Sequence, residues 1–164
     1  MSRPQPIPPG SGQESVWDYP RPPRVEDSPK RVVVKLNGVT LAESNRTRRV
    51  LETSGPPVYC IPSDDVRLDL LSATMRTTIC EWKGAARYFT LIAGDVTVPN
   101  GAWSYPDPNP GYEGIRDYIA FYPGKVEAYL NGERVRPQPG NYYGGWITDE
   151  IVGPFKGDPG TEGW

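Results

Sequence analysis

The clearest signal in the chain is a two-residue alternation of apolar and polar positions, interrupted by turn residues. Val32-Val33-Val34-Lys35-Leu36-Asn37-Gly38-Val39-Thr40-Leu41-Ala42 predicts a hairpin. Asn-Gly suits a type I′ turn, because both central residues need positive φ. That turn would pair Leu36 with Val39, Val34 with Leu41 and Val32 with Glu43. One face becomes apolar, while Lys35 and Thr40 face water. The same Leu-Asn-Gly signal recurs at Leu130-Asn131-Gly132 and predicts a second hairpin over Val126–Val135, with Glu127 opposite Arg136. Two such hairpins suggest a two-sheet body with weak internal pseudo-symmetry.

Further strands are predicted over Thr47–Thr53, Val58–Ile61, Ala85–Ile92 and Tyr118–Tyr122. Pro62-Ser63-Asp64-Asp65-Val66 reads as the start of one short helix, with Ser63 as cap and the aspartates at the positive end of the dipole. Pro99–Tyr112 reads as a long ordered loop. The resulting class is mainly β: two antiparallel sheets, one short helix, and long ordered arms at both ends. Residues 1–30 hold eight prolines and form a proline-rich arm, with regular structure beginning at Arg31. Residues 31–136 form a single β domain, and 137–164 a tail rich in glycine, proline and aromatics. Trp17 and Tyr19 in the arm, and Trp146, Phe155 and Trp164 in the tail, predict that both ends dock on the domain or on a second subunit.

Composition narrows the chemistry. The chain has 164 residues, enough for one domain with a real core. It has no histidine, which excludes Ser-His-Asp and Cys-His catalysis, histidine metal ligation and histidine switches. Two cysteines, Cys60 and Cys80, cannot make a Cys₄ zinc site; they could form one disulfide, but two free, buried thiols are expected. No metal and no cofactor is expected. The net charge of -2 offers no field for nucleic acid or an anionic membrane, and Arg46, Arg48 and Arg49 are a local cluster without a basic face. No apolar run has membrane-spanning length, and the first residues lack an apolar signal segment, so the expected location is the cytoplasm.

The candidate chemistry lies around Cys80-Glu81-Trp82-Lys83-Gly84. Cys80 is a weak candidate nucleophile, with Lys83 or Glu52 as proton-transfer partner. The alternative is a loop leading into the next strand, in which Gly84 turns, Cys80 fills core and Lys83 pairs with an acid. Arg49, Glu52 and Lys83 are candidate polar anchors of a pocket, with Lys83 or Arg87 as the cation that a buried Glu52 would need. Tyr59, Trp82, Tyr88, Trp103, Tyr105 and Tyr122 are candidate walls, with Trp103-Ser104-Tyr105-Pro106 as a lid. Ordinary packing is the competing explanation for these aromatics. Three functional readings follow: a module binding a small molecule or peptide, a thiol-dependent enzyme using Cys80, and an assembly protein whose arms exchange to form a homodimer.

The order of several motifs carries a family resemblance. Arg49-Val50-Leu51-Glu52, Pro57-Val58-Tyr59 with Ile61-Pro62 and Asp65-Val66, Cys80-x-Trp82-Lys83-Gly84-x-Ala86-x-Tyr88, Ala102-Trp103-x-Tyr105-Pro106 and Ala120-Phe121-Tyr122 resemble the bacterial domain-of-unknown-function family 427. The tail from Gly145-Trp146-Ile147 to Gly163-Trp164 resembles its extended, cyanobacteria-like members. The resemblance implies a β-tent, two antiparallel sheets meeting at a steep angle. Other β-tents pin the sheets with a Cys₄ zinc, whose ligands this chain lacks. The family also carries a nucleotidyltransferase-like label. The chain has no Asp-x-Asp pair following a Gly-Ser, so its motifs do not support that activity.

Overall fold

A computed structural model describes residues 3–140 and 142–164. Met1 and Ser2 of the predicted arm and Asn141 of the predicted tail lie outside the described residues. In chain order the strands are β1 (Glu14–Ser15), β2 (Arg24–Ser28), β3 (Val32–Leu36), β4 (Val39–Ser44) and β5 (Thr47–Leu51). Then follow β6 (Val58–Cys60), β7 (Leu71–Cys80), β8 (Gly84–Ala93), β9 (Val96–Ser104) and β10 (Ala120–Phe121). The last are β11 (Glu127–Leu130), β12 (Glu133–Arg134), β13 (Arg136–Pro137), β14 (Trp146–Ile147) and β15 (Ile151–Val152). The protein is mainly β and mainly antiparallel.

Both Asn-Gly turns form, with Asn37, Gly38, Asn131 and Gly132 all at positive φ. The two hairpins share one sheet, ordered β12-β11-β3-β4, so they do not found two separate sheets. The predicted register holds at the turn, where Leu36 faces Val39 and Lys35 faces Thr40, and then shifts by one. Val34 pairs with Ala42 and Val32 with Ser44, because a bulge buries Leu41 and Ala42 together. In the second hairpin Arg136 bonds to Glu133 and Asp149, and Glu127 is left 3.9 Å from Arg134.

A second sheet, ordered β10-β9-β8-β7, forms the middle layer. It is buried on both faces, at different ends. Leu91, Ala102 and Phe121 face the hairpin sheet and join Val32, Val34 and Leu41 in one core. Ala86, Tyr88 and Trp103 face the other way, toward Val50 and Cys60 of a third sheet, ordered β2-β5-β6. The alternation of a strand, which places neighbours on opposite faces, thus supplies two cores from one sheet.

Three expectations change here. Among the described residues, helical structure is limited to three-residue 3-10 turns, including Ser63–Asp65 and Leu68–Leu70; Ser63 caps nothing. Asp65 instead accepts from the Ser44 hydroxyl (2.7 Å) and the Arg46 guanidinium, tying this turn to β4. Regular structure begins before Arg31, because Arg24–Ser28 is an edge strand on β5. The predicted loop from Pro99 begins inside β9, and an unpredicted ten-residue strand, β7, precedes the Glu81 turn.

The ends pack on their own chain. Glu14–Ser15 runs parallel to Ile151–Val152. Trp17 donates through Nε1 to the Pro154 carbonyl (2.9 Å) and lies 5.5 Å from the Trp164 ring. Val16, Trp17, Tyr19, Leu51 and Ile151 form a third buried cluster. Among the described residues, no helix is long and apolar enough to cross a membrane.

Candidate functional site

The β7–β8 connection builds the centre of the site. Cys80 pairs with Gly84 across the three-residue turn Glu81-Trp82-Lys83. Gly84 closes the turn at φ +107, and its Hα side lies against Asn109, where a Cβ would meet backbone and side-chain atoms at 3.2–3.4 Å. Asn109 then fastens the turn, donating its backbone N–H to Lys83 O (2.9 Å) and its side-chain amide to Trp82 O (3.2 Å). Trp82 and Lys83 are therefore presented on a braced turn.

These residues open on a cavity of about 310 Å³ between the middle sheet and the β2-β5-β6 sheet. Trp82, Tyr88, Trp103, Tyr105 and Tyr122 supply aromatic surface. Tyr88 and Trp103 are cross-strand partners on β8 and β9, and the Trp103 ring stacks at 45° on Tyr122, 4.5 Å away. The Tyr88 hydroxyl bonds to the Thr78 hydroxyl (3.0 Å) on β7. Burial pushes the Tyr105 and Tyr122 phenols well above the ordinary tyrosine range, so both stay protonated hydrogen-bond donors at neutral pH. Glu52, Lys83 and Cys80 also line the cavity.

The C-terminal segment covers one side. Gly144 lies on the Trp103 ring so closely that a Cβ there would sit 2.3 Å from ring carbon Cη2. Gln138 holds this segment, accepting from Gly145 N–H (3.0 Å) and donating to Lys156 O (2.7 Å). Tyr142, Tyr143 and Lys156 complete the rim.

Two candidates lie elsewhere. Arg49 points to the other side of β5, where it bonds to both Glu14 and Glu26 and lines a separate polar hollow. Tyr59 is 2% exposed in the main core, its ring 5.1 Å from Trp146. Alternation along the chain places both away from the cavity. Glu52 takes Arg21 as its cation (3.4 Å), not Lys83 or Arg87. Trp103 is no lid residue: it sits in β9 as wall, and the covering role falls to Tyr142–Gly144. Lys83 makes no ion pair among the described residues and stands 5.6 Å over the Tyr105 ring. Sequence reasoning missed Thr78, Tyr142, Tyr143, Gly144 and Lys156. Gly144-Gly145 beside three aromatics was the available sign, since paired glycines mark a close approach of backbone to a ring.

The thiols differ. Both are free; Cys60 is buried and its thiol is pushed up to about 12, whereas Cys80 is half-buried on the cavity wall. No group of three or more metal-ligating side chains occurs among the described residues. Arg46, Arg48 and Arg49 are each engaged by acids.

No curated protein matches the sequence. Residues 24–132 match the family described as a domain of unknown function, DUF427. That span begins at β2 and ends at the second Asn-Gly turn, and so takes in β7, β8, β9 and the Cys80–Gly84 turn. The chain belongs to the DUF427 family.

Proposed function

We propose that this protein is a binding module that takes a small ligand, or one side chain of a peptide, in the cavity between the middle sheet and the β2-β5-β6 sheet. The observation that carries this reading is the preformed aromatic hollow at Trp82, Trp103 and Tyr105, of about 310 Å³. That volume is at the small end of the ~300–1,000 Å³ range of small-molecule sites. Apolar walls with a few placed polar groups, here Lys83, Glu52 and the Thr78–Tyr88 hydroxyl pair, are what such sites use to bind and orient a ligand.

A fragment screen by thermal shift on the full chain tests this. Hits should raise the melting temperature of the wild type, and Trp103→Ala should lose that response. An empty screen, or hits that ignore Trp103→Ala, would overturn the reading.

Cys80 favours one rival. Its place on the cavity wall suits a thiol-dependent enzyme, with Lys83 or Glu52 moving protons. Under that reading a ligand-like thioester transfers its acyl group to the Cys80 sulfur and leaves as its free thiol, and Cys80→Ser abolishes turnover while fragments still bind.

A further inference from the structure

Charge is distributed unevenly around the cavity. Most lysines and arginines of this net-acidic chain stand in ion pairs with nearby carboxylates. Four cations near the cavity do not, among the described residues: Lys83 and Lys156, which line it, and Arg76 and Lys125, which do not. Each lies over the ring of a different cavity tyrosine. Arg76 is 4.9 Å from the Tyr88 centroid and Lys83 is 5.6 Å from that of Tyr105. Lys125 is 5.1 Å from Tyr122 and Lys156 is 5.3 Å from Tyr143. All four tyrosines line the cavity, as do Lys83 and Lys156 themselves.

Two acids line it as well. Glu52 is already neutralised by Arg21, and only Glu81, exposed on the turn, adds an unpaired negative charge. The two lining ammonium groups, Lys83 and Lys156, against one unpaired lining carboxylate, Glu81, leave the mouth with a positive excess on a protein whose overall charge is negative. A concave, low-dielectric wall focuses such a field into the opening.

We propose that the cavity selects small, flat, aromatic anions. This rests on the binding reading above and adds its ligand class. The indole and phenol faces take the ring, and the Lys83 and Lys156 ammonium groups, on flexible stems at the rim, take the carboxylate or equivalent anionic group. The protonated phenols of Tyr105 and Tyr122 offer donors to the same group. Aromatic cations are disfavoured by the same two ammonium groups.

The test is a set of calorimetric titrations of the full chain with indole-3-acetate, indole-3-acetamide and tryptamine. These probes share one ring and differ in charge. Indole-3-acetate should bind about tenfold more tightly than the amide, the size expected of one charge-assisted contact, and tryptamine most weakly. The gap between acid and amide should narrow with added salt and close in the Lys83→Met, Lys156→Met double variant. If the amide or the amine binds as tightly as the acid, the ligand class is wrong while cavity binding stands. If none of the three binds, the ligand class is wrong as well, and the binding reading falls only if the fragment screen is also empty.

Discussion

Single side chains show where this protein is under-satisfied. Thr47 in β5 is 1% exposed and its hydroxyl has no hydrogen-bond partner among the described residues. Thr47→Val replaces that hydroxyl with a methyl of the same shape and should stabilise the fold by roughly 1 kcal/mol in urea unfolding. The two thiols should separate under iodoacetamide: in the native protein Cys80 is alkylated, and Cys60, buried with its thiol raised, is protected until unfolding. Mass spectrometry of tryptic peptides reads the outcome. At this scale the sequence shows residue types but not partners. Glu52 needs a cation, which is evident from the chain, yet Arg21 supplies it from a segment thirty residues away that reads as an extended arm.

The elements that were legible carry strong local chemistry. Asn37-Gly38 and Asn131-Gly132 specify their hairpins because few other turns suit that pair. Strand β7 was not legible because it is an edge strand: Ser72, Ala73, Met75 and Thr77 are exposed, so no apolar alternation marks it. Strand β9 was hidden by Pro99-Asn100-Gly101, which reads as the start of a long loop but lies in the irregular stretch where pairing skips from Leu91–Val98 to Phe89–Ala102. Gly101 fits there because a Cβ would lie 2.7 Å from the Leu91 side chain. Arg49 joins three elements, bonding from β5 to Glu14 of β1 and Glu26 of β2. Its hydrogen bonds are the main cause holding the Glu14 carboxyl below its usual 4.5. A carboxylate lowered by folding adds stability that is full above its unfolded pKa and is lost as pH falls through its folded value. The wild type should therefore outlast Glu14→Gln in urea near pH 7, and that advantage should vanish in acid well below 4.5.

Across the whole molecule, one middle sheet serves two cores, and the terminal arms close a third. Trp17, 7% exposed and stacked near Trp164, fastens both ends at once. Trp17→Ala should cost about 3 kcal/mol, read as a fall in the urea midpoint. The aromatics in the arms announced this docking; the three-layer arrangement did not, since alternation shows that a strand has two faces but not that each meets a different sheet. On the binding reading proposed above, the cavity between the middle sheet and β2-β5-β6 is the part of the fold that matters for function, because Trp82 and Trp103 line it. The five tryptophans make this directly measurable by the indole N–H resonances in ¹H–¹⁵N spectra, with a saturating hit from the fragment screen added to the full chain. The account predicts that the Trp82 and Trp103 signals shift while those of Trp17 and Trp146, whose indole N–H groups are held by Pro154 O and Phe121 O, stay in place. Unmoved Trp82 and Trp103 signals, with shifts confined to Trp17, Trp146 or Trp164, would contradict it.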